Sequence, residues 1–313
     1  MRRLIIRRLL WMLLLLFCIS IASYLLVFIT PGSVAEAAYE TKYSSAPTEE
    51  QLERFNHEYG FDRSLARQYL DWLGHALRGD LGKSHLDGED VLSTYFHKLW
   101  VSLELFLTSQ ALAIVLALTV GTYSAWKEGG ICDRLCRFLS SLGIAVPTFW
   151  FGALLIFLLA IRGHLLPVSG YGKAVYFILP TLTLGLTGAA SLVRIVRTSV
   201  LETLGTNYVR TARAKGIKER RVVVFHALRN AMVPIVTALG HRVHILFGGS
   251  AVIEAVFAWP GLGSHFLRIA NSKDIFSIQG FVLISAVFFT LTNLGIDLLY
   301  MKLDPESRAV ETS

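Results

Sequence analysis

The chain has 313 residues, of which 53% are hydrophobic, with a mean hydropathy of +0.52 and a formal net charge of +7. This is too apolar for a soluble fold that must keep a wetted surface, so much of the chain is expected in lipid. Its basic residues do not gather among aromatics as a nucleic-acid surface requires, and three cysteines cannot build a disulfide framework.

Residues 9–30 carry no charge, and about 20 residues at 1.5 Å each match a hydrocarbon core of about 30 Å. A cleaved signal peptide is the rival reading. The run is too long for an h-region and Ile29-Thr30-Pro31-Gly32 lacks a small-x-small cleavage context, so a retained first span is expected. Further spans are expected at 102–126, 138–161, 177–196, 232–257 and 279–301, six in all. Arg2, Arg3, Arg7 and Arg8 put the N-terminus in the cytosol by the positive-inside rule, and six spans return the C-terminus there. The segment after the first span holds about 12 acidic against 7 basic residues, which suits the outer side.

The expected organisation is residues 1–30 as cytosolic arginines and first helix, 31–99 as an extracytoplasmic cap, 100–301 as a core of five helices, and 302–313 as a cytosolic tail. In the cap, Leu52, Phe55 and Tyr59 form one helical stripe and Leu70, Leu73 and Leu77 another. Gly79-Asp80-Leu81-Gly82-Lys83-Ser84 looks like the end of a phosphate-binding loop. That loop needs a further glycine five positions before Gly82, and Leu77 stands there, so nucleotide binding is excluded. Cys132 and Cys136 fall in an expected cytosolic loop; with no second ligand pair nearby, they and Cys18 read as unpaired thiols.

The loop 198–231 carries Arg210, Arg213, Lys215, Lys218, Arg220, Arg221 and Arg229 against Glu202 and Glu219. Tyr208, Val209 and Ala212 recur at helical spacing, and Gly216 suits a left-handed helix stop. A short helix, a glycine turn and a basic second piece are therefore expected. Such a hairpin suits a partner protein; anionic lipid headgroups are the plainer reading of the same charge.

Here the residues resemble a known family. Arg210-Thr211-Ala212-Arg213-Ala214-Lys215-Gly216, followed by His226-Ala227-Leu228-Arg229-Asn230-Ala231, is similar to the coupling loop of binding-protein-dependent ABC importer permeases of the peptide and nickel class. So are Tyr59-Gly60-Phe61-Asp62, Pro147, Leu166-Pro167-Val168-Ser169-Gly170, Leu179-Pro180, Pro260-Gly261-Leu262-Gly263 and Asp304-Pro305, so the resemblance covers nearly the whole chain. Three departures stand out: Arg210-Thr211-Ala212 where the general pattern has Glu-Ala-Ala, Trp100 after Lys98-Leu99, and Phe276 where proline is frequent.

The resemblance implies an all-α polytopic membrane protein, a MetI-like bundle of six transmembrane helices with an extracytoplasmic segment between helices 1 and 2. It implies that a helix bearing Thr206, Tyr208, Val209, Arg210, Ala212, Arg213 and Lys215, pivoting at Gly216, docks on a cytosolic ATPase. The implied partners are a second homologous permease, two ABC ATPases that use ATP and magnesium, and an extracytoplasmic solute-binding protein. The implied place is the bacterial inner membrane, with no cofactor and no catalysis in this chain.

Polar groups within spans are costly and mark function or pairing. His241 and His244 share a face of span five, and Arg242 points about 100° away from His241. They suit either a path for a carboxylate-bearing solute or metal chelate, or contacts with neighbouring helices. Glu254, nearer the outer end, suits a cation or another subunit, and Asn293 and Asp297 suit a helix contact. Residues 253–261 are closer to the nickel and metal-chelate branch, which makes that the expected cargo, with dipeptide or oligopeptide as the alternative. An enzyme is disfavoured by the lack of a Ser-His-Asp or His-Glu-x-x-His set, and an ATP-independent channel leaves the basic hairpin unexplained.

Overall fold

The computed structural model describes residues 2–29, 33–85, 87–246, 250–272 and 274–303. Asp304-Pro305 and the side chains of the four N-terminal arginines, His244 and Asp297 lie outside the described residues. Among those described the chain is helical throughout, apart from turns and one isolated bridge between Lys83 and Asp90.

Helix α1 (Arg2–Ile29) turns Leu10, Trp11 and Leu13 outward, each about 60% exposed, an apolar face that suits lipid or a neighbouring subunit and not water. Helix α2 (Val34–Tyr43) is capped by Ser33, whose Oγ accepts from the Glu36 N–H, and stops at Ser44 in the left-handed region. Helix α3 (Glu49–Tyr59) opens on a Thr48/Gln51 capping box and stops at Gly60, and α4 (Leu65–Ala76) follows. Phe55 is buried among Ala35, Ala38 and Tyr39 with Leu52 and Tyr59 beside it, so the first expected stripe is a true core face. The second is not. Leu70 and Leu77 are exposed, and Trp72 is the buried residue of α4, with Tyr69 edge-on to Tyr24 at 5.5 Å. Two large aromatic surfaces at i, i+3 bury more area than the leucines beside them.

Helix α5 (Val91–Leu116) starts where Asp90 accepts from the Ser93 N–H. It runs through a π-helical turn, Ala117–Gly121, into α6 (Thr122–Trp126). The expected third span is broken: α7 (Ile131–Ala145) and α8 (Thr148–Leu155) meet at 103°. Pro147 has no N–H for the Gly143 carbonyl and pushes Val146 into extended backbone, at φ −80° and ψ 126°. Helix α9 (Ala174–Leu204) is a single run of 31 residues.

Helices α10 (Asn207–Ala214) and α11 (Glu219–Arg221) lead through a π-helical turn into α12 (Leu228–Asn230) and α13 (Met232–His241). The expected fifth span is broken as well. After α13 the chain tightens to a 3₁₀ turn, Arg242–Leu246, and α14 (Ala251–Val256) begins after Ser250. Helices α15 (Leu262–Asn271) and α16 (Ile275–Leu303) close the order. Three stretches, Val91–Trp126, Ala174–Leu204 and Ile275–Gly295, are long and apolar enough to cross a bilayer alone, and two bent helix pairs raise that to five. The sixth expected span falls on α1, a helix of 28 residues that is apolar over Leu10–Leu26 among the residues whose side chains are described.

The chain divides into two compact units, residues 1–101 with 261–291 and residues 102–260 with 292–313. In the first, Ser84 and Ser277 donate to the buried Asp274 carboxylate at 2.6 and 2.8 Å, which pins the Gly79–Asp90 turn to the start of α16. In the second, α9 is the central post. Ala189, Leu192, Val193, Val196 and Val200 pack against Ala113, Ala117, Ala125 and Ala227, and a Cβ on Gly121 would stand 2.9 Å from the Val193 carbonyl. Asp133 is fully buried and holds Arg197 through two bonds of 2.6 and 2.9 Å, with Ser124 Oγ and the Gly129 N–H also donating to it.

Candidate functional site

The second unit carries two features with functional geometry. The first is the hairpin after α9. Thr206 is the N-cap residue of α10 by its extended backbone, though its Oγ1 donates to the Thr203 carbonyl rather than to the helix it opens. Val209 and Ala212 are buried against Val222, with Leu204 and Ile217 around them. Gly216 has φ +74°, its N–H returns to the Arg213 carbonyl, and the Ile217 N–H returns to that of Ala212. These bonds satisfy carbonyls that the helix end leaves open.

Arg213 then grips Glu219 across the turn with bonds of 3.1 and 2.7 Å, an interaction that strengthens the hold of the guanidinium on its proton. Tyr208 departs from the expected stripe. It is half exposed, and its hydroxyl meets His226 Nδ1 at 2.6 Å. The apolar pair Val209 and Ala212 is thus consumed inside the hairpin. The outward face is Tyr208, Arg210, Arg213 and Lys215.

The second feature is a cavity of about 340 Å³. Gly143, Ile144, Val146 and Thr148 line it from the break between α7 and α8, and Arg242, Ile245 and Ser250 from the break after α13. Ser109 and Gln110 of α5 and Thr187, Gly188 and Ser191 of α9 complete it. Both interruptions of otherwise apolar helices therefore open onto one cavity of mixed polar and apolar lining, where irregular backbone is tolerable at membrane depth. Gly188 and Ser191 fall at mid-length of α9, and Gln110 at mid-length of the Val91–Trp126 helix.

Arg242 is the charged group of this wall. Its Nε donates to Gln110 Oε1 at 3.0 Å and its Nη1 to Ser191 Oγ at 3.2 Å. A Cβ on Gly188 would lie 2.3 Å from Arg242 Nη2, so the glycine makes the room that the guanidinium occupies. His241, expected beside it, is instead exposed, with Nδ1 at 2.9 Å from the Thr237 carbonyl. His241 is the last residue of α13 and does not line the cavity. Glu254 is fully buried and accepts from Ser102 and Ser250 at 2.6 and 3.0 Å; it does not line the cavity, although Ser250 does. Asn293 is exposed. The described residues hold no cluster of three or more His, Cys, Asp or Glu that suits a metal.

Sequence reasoning missed Gln110, Ser191 and Gly188. They lie 132, 51 and 54 positions from Arg242, and polar or small residues singly placed in apolar runs were the available signal.

Residues 117–309 match the family model described as the inner membrane component of binding-protein-dependent transport systems, and residues 1–105 match the model of its N-terminal part. The oligopeptide transport system permease AppB of Bacillus subtilis is 36% identical over 312 residues, covering 96% of this chain and 98% of the relative. The glutathione transport system permease GsiC of Escherichia coli is 34% identical over 308 residues, and the dipeptide transport system permease DppB of Lactococcus lactis is 35% identical over 306. Each of these covers 97% of this chain and 98% of the relative. Apolar helices around one interrupted, polar cavity and matches along the whole length agree, and the chain belongs to the inner-membrane permease components of binding-protein-dependent ABC importers.

Proposed function

We propose that this chain imports peptides, forming the path with a second permease of its kind while α10 passes the movement of a cytosolic ATPase to the helix bundle. The relatives named for oligopeptide, glutathione and dipeptide transport support the peptide cargo over nickel or a metal chelate. The lean toward nickel rested on residues 253–261. There Phe257 lies against Gly152, Glu254 accepts from two serines and Trp259 stacks edge-on to Tyr171 and Phe177, so packing accounts for that stretch without reference to cargo.

One observation carries the coupling role. Val209 and Ala212 are spent against Val222, so the hairpin has its own small core and keeps an exposed cationic and aromatic face. An element packed in this way transmits force to a bundle with two arrangements. In this reading the hairpin and both termini are cytosolic, residues 31–99 form the outer cap before the core at 100–301, the membrane is the bacterial inner membrane, and a solute-binding protein delivers the cargo. ATP and magnesium are used by the ATPase partners.

The test is ATP-dependent uptake of labelled trialanine and of labelled nickel by vesicles holding the chain with its partner subunits. Peptide uptake without nickel uptake is expected; the reverse overturns the cargo.

A further inference from the structure

We infer that Arg242 is a carboxylate-recognition point in the transport path, so that the permease itself, and not only a binding protein, selects solutes with a free carboxylate. The inference rests on the peptide reading above and adds a subsite to it. A guanidinium in an apolar helix bundle is costly and is kept where it meets a charge, a wet cavity or a ligand. The partners Arg242 has are neutral, the Gln110 amide oxygen and the Ser191 hydroxyl. Among the described residues no carboxylate pairs with it, although the second unit does neutralise another arginine, Arg197, with the buried Asp133.

The two neutral bonds fix the guanidinium plane without cancelling its charge. That is the arrangement of a preorganised anion site: the fork is oriented before the ligand arrives, and planar bidentate geometry suits a carboxylate. The surroundings fit the same ligand. The cavity, about 340 Å³, lies in the size range of small-solute sites, about 300–1,000 Å³. Phe106, Ile144, Val146, Leu184 and Ile245 give it apolar walls, Thr148 adds a hydroxyl, and the Ser109 and Thr187 hydroxyls, which donate to the Phe106 and Thr183 carbonyls, are left to accept from peptide N–H groups. The C-terminal end of a peptide, one carboxylate preceded by neutral amides, matches one guanidinium among hydroxyls and apolar surface.

The experiment compares uptake of trialanine with that of trialanine amide by the assembled transporter, in the parent and in Arg242→Gln. Any preference of the binding protein is common to both proteins and cancels in the comparison. The ratio of acid to amide uptake is expected to fall about tenfold in Arg242→Gln, the size of one charge-assisted hydrogen bond. A merely structural arginine would lower both rates and leave the ratio alone.

Gly188→Ala keeps the charge but displaces Nη2 through the 2.3 Å contact, and it is expected to lower the ratio in the same direction should Arg242→Gln not reach the membrane. An unchanged ratio in the variants overturns the subsite and leaves the peptide reading standing. Parent vesicles that take up neither peptide overturn both. An inorganic anion as occupant is the third outcome. Replacing chloride by gluconate would then change both uptake rates together with the ratio untouched by Arg242→Gln, and this too overturns the proposal.

Discussion

Replacing Gly216 separates backbone conformation from packing, because a Cβ at this position meets nothing within 4 Å while the residue sits at φ +74°. Any effect of substitution is therefore conformational. An L-residue in this region costs about 1–2 kcal/mol, less for Asn, whose side chain bonds locally, and most for a β-branched residue. That cost is a factor of roughly 5–30 in the population of the native turn. Because the turn orients α10 against Glu219 and Val222, and a partner binds only the competent fraction, ATPase coupling should weaken in the same proportion. The expected order is Gly216 and Gly216→Asn near parity, Gly216→Ala lower, and Gly216→Val lowest. The assay is binding-protein-stimulated ATP hydrolysis by the purified complex, with the amount of assembled complex measured in parallel. Equal coupling in Gly216→Asn and Gly216→Val, at equal assembly, would show that the left-handed turn at Gly216 does not govern coupling.

Other consequences follow from the same structure. Asp133→Ala leaves Arg197, 16% exposed, without its carboxylate, and should lower stability by about 3–5 kcal/mol; adding Arg197→Met should recover part of it, read by thermal melting of the complex in detergent. Burial, aided by Arg268 and Lys98 and opposed by Asp87 and Asp274, pushes His265 down to about 4. The folded chain then binds fewer protons than the unfolded one between that value and about 6.5, so this contribution is complete above about pH 6.5 and is lost as pH falls toward 4. His265→Gln should flatten the pH dependence of melting in that window. Cys132 is exposed and Cys136 buried, so a membrane-impermeant maleimide should label Cys132 in inside-out vesicles, with Cys136 inert; labelling of Cys132 from the outer side alone would invert the proposed orientation.

The features legible in the sequence were those that single residues or averages decide. Gly216 ended a helix that starts one residue after Thr206, because a left-handed stop depends on local backbone alone. Apolar runs announced lipid-facing helices because window averages measure composition. Direction was not legible. A hydropathy window over residues 138–161 returns the same value whether Pro147 bends the chain by 103° or not. The stripe at Leu70, Leu73 and Leu77 is as periodic as the face that is buried, and Tyr24, distant in sequence, packs against Tyr69, which in turn lies against Trp72. Arg242 was visible as a cost within a span. Its meaning came from Gln110, Ser191 and the room at Gly188, which only the folded chain brings together.

Docking of α10 as proposed puts its outward face against an ATPase and not against lipid headgroups. A photoactivatable benzoylphenylalanine in place of Arg210, exposed on that face, tests it in membranes containing the assembled transporter. Illumination is expected to join this 34.8 kDa chain to the ATPase subunit. Adducts with lipid alone, from a chain that still co-purifies with its partners, would contradict this docking.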